Sequence, residues 1–275
     1  MLPNFLIIGA MKSATTSLYK YLSAHPEIYM AKGTNNKKTL HYFCEDINWH
    51  KGREWYEAQF TEAEKRTFRY FGKRKYKAVG EASGTYTKYP RFKDVPEKIH
   101  ALVPDVKLIY ILRDPIKRIL SHIDHQIIEG LRPPVGQLTI DTFQPIHIIT
   151  SKYFTQINQY LPYFDKRQIL IICTEELQEN KRAVLRETFR FLGVNENYWS
   201  PNFEKQYHSS SIKRARLTAN IEADNNNEST GGTISLPRDV AALPSDVRDY
   251  LMSELKPEVD ALRKFTGKSL SQWSL

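Results

Sequence analysis

Phe5-Leu6-Ile7-Ile8-Gly9-Ala10-Met11-Lys12-Ser13-Ala14-Thr15-Thr16-Ser17-Leu18 is the stretch on which the reading of this 275-residue chain turns. A short apolar run predicts a buried strand, Gly9 and Ala10 open a turn of small residues, and the amphipathic pattern that follows predicts a helix. This is how α/β proteins cradle a phosphate. Main-chain N–H groups and the positive helix end face the anion, Lys12 adds a point charge, and the hydroxyls of Ser13, Thr15, Thr16 and Ser17 add donors. The same residues also admit a plain strand–turn–helix connection, in which Thr15 or Thr16 only caps the helix. Lys12 follows Gly9 by three residues with no glycine directly before it, which departs from the G-x-x-x-x-G-K-[ST] spacing of nucleotide triphosphatases and disfavours ATP hydrolysis.

Outward from this segment, strand-like runs recur at Phe5-Ile8, Tyr76-Val79, Val106-Leu112 and Gln168-Cys173, each followed by turn residues and a helical pattern. The alternation predicts an α/β fold with a central parallel sheet covered by helices on both faces, and ligands of such sheets bind beyond the carboxyl ends of the strands. Asp114 before Pro115 predicts a helix start, with Ile116, Ile119, Leu120, Ile123 and Ile127 on one apolar face up to Gly130. Asn180 to Leu192 closes at Gly193. Ser245 caps a C-terminal helical segment, 245–267, that Pro257 is expected to kink or divide.

The length and 41% hydrophobic content are consistent with a single domain over 1–275. Forty Lys+Arg against 31 Asp+Glu give a net charge of +9, spread along the chain, which favours an anionic ligand in a cleft over a nucleic-acid arm. Cys44 and Cys173 lie far apart without metal spacing and read as reduced core residues. With no apolar run near the roughly 18 residues of a membrane span and no signal-peptide pattern, a soluble cytoplasmic protein is expected. The polar run 220–233 reads as a mobile loop, either a lid near a cleft or a solvated connection.

Val106 to Leu112 ends in Arg113-Asp114-Pro115, with Ser121 two turns into the following helix. An arginine at the carboxyl end of a buried strand beside a helix serine makes a site for a second phosphate. An Arg113–Asp114 surface pair beside a cap is the alternative. Taken together, G-A-M-K-S-A-T-T-S-L (Gly9 to Leu18) and I-L-R-D-P-I-K-R-I-L-S (Ile111 to Ser121) resemble the 5′-phosphosulfate loop and the 3′-phosphate motif of the sulfotransferases that use 3′-phosphoadenosine 5′-phosphosulfate. Weaker similarity runs through Lys38 to Phe43, Lys51 to Tyr56, Gly80 to Tyr86 and Cys173 to Leu177, nearest the heparan-type and bacterial branch.

The resemblance implies a P-loop-like sulfotransferase fold. It implies sulfuryl transfer, without a metal, from that donor to a hydroxyl or amine of a small molecule or sugar, leaving adenosine 3′,5′-bisphosphate. It assigns Lys12 to the leaving phosphate and the sulfuryl oxygens, Ser13, Ala14, Thr15, Thr16 and Ser17 to the 5′-phosphate, and Arg113 and Ser121 to the 3′-phosphate. Ser211, Lys213, Arg214 and Arg216 resemble the late segment that closes over the nucleotide. Thr39 stands where the heparan-type branch carries its glutamate base, and Ala82 where it often carries a lysine. Candidates for the base are therefore His41, whose imidazole suits the task, and Glu81, expected at the end of a strand facing the cleft, with Glu45, Asp46 or no base as alternatives. His41 could instead pack in an aromatic cluster with Tyr42 and Phe43. Nucleic acid and membrane are not expected partners. A nucleotide kinase-like phosphotransferase and a non-catalytic nucleotide or polyanion binder are the competing functions.

Overall fold

The computed structural model describes residues 1–33, 39–68, 76–133, 135–205, 207, 236–237 and 239–275. In chain order its elements are β1 (Phe5–Gly9), α1 (Thr15–Ser23), β2 (Ile28–Met30), α2 (Gly52–Ala58), α3 (Thr61–Phe68), β3 (Ala78–Ala82), α4 (Val95–Leu102), β4 (Lys107–Leu112), α5 (Pro115–Ile128), α6 (Pro145–Ile149), α7 (Tyr153–Asn158), β5 (Ile169–Cys173), α8 (Thr174–Glu179), α9 (Lys181–Leu192) and α10 (Ser245–Thr266). The strands form one sheet in the order β2-β3-β1-β4-β5, every neighbouring pair parallel.

A parallel sheet needs cover on both faces, and the strands are largely apolar for that reason, with Glu81 of β3 and Lys107 of β4 as the charged exceptions. Side chains alternate between the two covers. Leu6, Ile8, Leu108, Tyr110 and Leu112 face a core shared with Val95 and Ile99 of α4, Tyr153 and Ile157 of α7, and Val259 and Leu262 of α10. Phe5, Ile7, Ile109 and Ile111 face the opposite core, built by Leu18 and Leu22 of α1 and Val184, Leu185 and Phe189 of α9. A third cluster joins Ile116, Ile119 and Ile123 of α5 to Val247, Leu251 and Leu255 of α10.

The helix ends follow the expected chemistry at two places. Asp114 accepts from the Lys117 N–H at 3.0 Å with Pro115 leading α5, and Asn180 opens α9, which Gly193 closes in the left-handed region at φ 76°. Elsewhere the structure departs from expectation. Strand β2 has three residues, too few to show a period, and the third strand begins at Ala78 and carries buried Glu81 inside it. Pro244, not Ser245, precedes α10, and the helix runs unbroken for 22 residues through Pro257. An interior proline costs about 3 kcal/mol. Burial of Leu251, Leu255, Val259 and Leu262 on the flanking turns contributes about 1.5–3 kcal/mol each and outweighs it.

Candidate active site

Strand β1 lies at the centre of the sheet, so the loops leaving β1, β3 and β4 emerge side by side. Two main-chain bonds and one from a side-chain hydroxyl tie them together. Ala10 N–H donates to Ile111 O at 2.7 Å, Ser83 N–H to Ile7 O at 3.0 Å, and Thr87 Oγ1 to Ile8 O at 3.2 Å. The loops pack so closely that a Cβ on Gly9 would collide with Thr87 Oγ1, and one on Gly84 would rest 3.4 Å from the Met11 main chain. The β1 and β4 motifs, more than ninety residues apart in sequence, therefore share one cleft edge.

The loop after β1 has an uncommon backbone geometry. Lys12 and Ala14 adopt left-handed conformations at φ 73° and 57°, each costing about 1–2 kcal/mol for a residue with a Cβ. Ala14 is the N-cap of α1 and no side chain caps the helix, so the alternative in which Thr15 or Thr16 only caps it is not what forms. The first intrahelical bond is Leu18 N–H to Ala14 O, and N–H groups ahead of it have no acceptor inside the helix. Ser13 Oγ is wholly buried beside the Tyr153 hydroxyl, whose own proton goes to Arg113 O, so Ser13 links this loop to the turn after β4. Ser17 differs: its hydroxyl donates to Tyr207 O at 3.3 Å, which leaves its N–H for a ligand.

The turn after β4 is clamped atom by atom. Leu112 O accepts from Thr174 Oγ1 at 2.7 Å, Arg113 O from the Tyr153 hydroxyl at 2.9 Å, and Asp114 N–H donates to Glu175 Oε1 at 3.0 Å. Asp114 is fully buried, with Oδ1 on the Lys117 N–H and Oδ2 accepting from Ser274. The alternative of an Arg113–Asp114 surface pair is thus excluded. Among the described residues no carboxylate forms an ion pair with Arg113, which is half-buried at the strand end, and Ser121 is half-buried on α5.

On the other side of the cleft, the loop after β3 organises residues 40–44. Ser83 Oγ accepts from the N–H groups of Leu40 and His41 at 3.2 and 2.9 Å, and the Tyr86 hydroxyl accepts from the Tyr42 N–H. His41 is half-buried, with Nδ1 2.7 Å from Thr85 Oγ1. Tyr42 and Phe43 continue into an aromatic cluster in which Tyr42 stacks on Tyr56 at 4.1 Å. Glu81 does not face the cleft as expected. It has no exposed surface, and its two oxygens accept from Ser83 Oγ at 2.7 Å and the Tyr86 hydroxyl at 2.5 Å. Burial pushes its carboxyl up to about 7, against the lowering effect of those hydrogen bonds. Glu81 thus braces Ser83 and Tyr86, which in turn hold the backbone of the His41 segment.

A cationic cluster lies behind this loop that sequence reasoning did not find. Arg118 is buried and donates from Nε to Ser151 Oγ at 2.5 Å and from Nη2 to His147 O at 2.8 Å, with His122 Nδ1 at 3.5 Å from Nη1. Burial, with the guanidinium beside them, drives His122 down to about 2 and His147 to about 4. Lys88, on the β3 loop, is lowered to about 8 by burial and by the neighbouring Arg118 and Arg91. Nothing in the sequence distinguished Lys88 or Arg118 from their neighbours. Both cysteines are unpaired and buried, their thiols pushed up to about 11 and 12 by burial. Ser211, Lys213, Arg214, Arg216 and the 220–233 run lie outside the described residues. Among the described residues no helix is long and apolar enough to cross a membrane.

Two turns thus leave the carboxyl ends of the adjacent parallel strands β1 and β4 side by side, one carrying Lys12 and the other Arg113. The sulfotransferase domain model matches residues 2–230, and the chain belongs to that family. It is 31% identical over 215 residues to the bifunctional heparan sulfate N-deacetylase/N-sulfotransferase 4 of Mus musculus, a match covering 72% of this chain and 23% of that protein. It is 36% identical over 120 residues to a membrane-associated sulfotransferase of Dictyostelium discoideum, 44% of this chain and 22% of that one. The chain thus spans about a quarter of the length of the curated relatives it matches. A sulfotransferase from Alicyclobacillus acidocaldarius superposes over 100% of both chains with a TM-score of 0.66 at 23% identity, a likeness of fold.

Proposed function

We propose that this protein transfers the sulfuryl group of 3′-phosphoadenosine 5′-phosphosulfate to a hydroxyl or amine on a sugar or small-molecule acceptor. The observation that carries the proposal is the bond from Ala10 N–H to Ile111 O, which joins the cradle of Lys12 and Ser13 to the turn of Arg113. Two phosphates on one nucleotide are the ligand such a pair fits. In this reading Thr15 and Thr16 donate to the 5′-phosphate through N–H and hydroxyl groups and Ala14 and Ser17 through their N–H groups, while Ser13, whose N–H donates to Ala10 O at 3.2 Å, shapes the turn that holds it. Arg113 and Ser121 hold the 3′-phosphate. The bound donor supplies an activated sulfuryl group. Lys12 neutralises the charge that grows on the departing phosphate, an interaction worth several kcal/mol where water is excluded.

His41 is the preferred general base. Thr85 Oγ1 lies 2.7 Å from Nδ1 and orients the ring, Ser83 holds the backbone that carries it, and the tautomer with its proton on Nδ1 would present Nε2 as the base. Glu81, enclosed by its own donors, positions that segment instead of meeting an acceptor. The names of the heparan sulfate relatives favour an amino sugar among the acceptor classes.

The test is calorimetric titration with adenosine 3′,5′-bisphosphate, followed by transfer from labelled donor read by mass shift across amine and hydroxyl acceptors. Binding should be lost in the Lys12→Ala, Arg113→Ala double variant, and Lys12→Ala alone should slow transfer on the order of a hundredfold. Absent binding, or binding that survives both substitutions, would overturn the proposal. Turnover with ATP and Mg²⁺ in its place would point to phosphoryl transfer.

A further inference from the structure

The C-terminal tail lies beyond residues 2–230, which the family model matches, yet its side chains reach back to the turn that carries Arg113. Ser274 donates twice to Asp114 Oδ2, from N–H at 2.6 Å and from Oγ at 2.7 Å. Trp273 Nε1–H donates at 3.1 Å to Glu175 Oε2, while the other oxygen of that carboxylate accepts from the Asp114 N–H. The Trp273 ring also packs 5.8 Å from that of Tyr153, whose hydroxyl donates to Arg113 O. The tail is itself folded back by Arg263, which donates to Ser269 O and Leu275 O.

We propose that Trp273 and Ser274 are positioning residues for the donor's 3′-phosphate, acting on Arg113 through Asp114 and Glu175. This rests on the reading of Arg113 given above. Asp114 is a buried carboxylate next in sequence to a cation that has no acidic ion-pair partner among the described residues. A buried carboxylate takes whatever donors it can reach. With Oδ1 on the start of α5 and Oδ2 on Ser274, it is satisfied without Arg113. Stripped of the tail's donors, Asp114 would turn to Arg113 and compete with the phosphate for the same guanidinium. Simple core packing explains the Trp273 ring but not two donors converging on one carboxylate oxygen. Charge-assisted bonds of this kind are roughly twice as strong as neutral ones.

The experiment compares adenosine 3′,5′-bisphosphate with adenosine 5′-phosphate by calorimetry on the full chain. The Trp273→Phe, Ser274→Pro double variant keeps an aromatic ring at 273 and removes the indole N–H together with both donors of Ser274, its hydroxyl and its N–H. Its affinity for the bisphosphate should fall roughly tenfold, about 1.4 kcal/mol, with affinity for the 5′-phosphate unchanged. Ser274→Thr with native Trp273, which keeps both the hydroxyl and the N–H, should bind the bisphosphate within a few-fold of the native chain. Unchanged bisphosphate affinity, or equal loss for both nucleotides with a lowered melting temperature, would overturn the proposal. Arg113→Ala distinguishes the two layers: if it leaves bisphosphate affinity intact, the donor-site reading itself fails, whereas a loss there without one in the tail variant sinks only the role of the tail.

Discussion

Replacing Glu81 by glutamine keeps the shape of the side chain and one acceptor oxygen while removing its ionisation, so the variant isolates what a charge at this position does. In the fold the carboxyl titrates near 7 because burial disfavours the charged form, against an ordinary value of 4.5. The folded chain therefore retains a proton that the unfolded chain has already released, and raising the pH favours unfolding. Stability from this group is lost as pH rises from about 4.5 through 7. At roughly 1.4 kcal/mol per pKa unit, the penalty on the native protein grows from about 1 kcal/mol at pH 5 to about 3 kcal/mol at pH 8. Relative to native protein, Glu81→Gln should gain about 2 kcal/mol across that interval. His122 and His147, held neutral in the fold, act in the opposite direction and destabilise the protein as pH falls below 6.5. They are common to both proteins and cancel in the difference. Urea unfolding followed by the fluorescence of the four tryptophans at pH 5, 6, 7 and 8 measures it. A stability difference that does not change with pH would refute the argument. The same variant separates brace from base: a bracing Glu81 permits sulfuryl transfer within several-fold of native, whereas loss of a general base costs about 10²- to 10⁴-fold.

His41→Gln should slow transfer by about 10²- to 10⁴-fold and flatten the acid limb of the pH–rate profile, while leaving bisphosphate affinity unchanged; a native pH profile in the variant would remove His41 from proton transfer. Gly9→Ala should destabilise by about 1–3 kcal/mol through overpacking against Thr87 and weaken donor binding. Thr87→Ala in the same chain should recover part of both, measured as a double-mutant cycle; if the losses simply add, the two loops are not in the contact described.

Much of the donor side was legible in the sequence because its chemistry is local. A strand, a small-residue turn and a helix start occupy consecutive positions, so Lys12 and Ser13 could be found without knowing the fold. The pairing of Asp114 with Pro115 likewise marked where Arg113 would sit. The acceptor side was less legible. Glu81 was expected to face the cleft because a carboxylate near a strand end ordinarily does, and only the convergence of Ser83, Tyr86 and Tyr56 around it encloses it. Thr85, Lys88 and Arg118 carry no distinguishing sequence signal, since their partners come from segments tens of residues away.

The sequence by itself determined that this chain would make a parallel α/β sheet with Lys12 and Arg113 in the turns at two strand ends, because strand runs, turn residues and caps are read from neighbours along the chain. The tertiary structure decided which groups those turns bring together. Placing β1 between β3 and β4 joins the two turns through Ala10 and Ile111, withdraws Glu81 from the cleft and sets the tail against Asp114. Those outcomes depend on strand order and burial, and no local pattern encodes either.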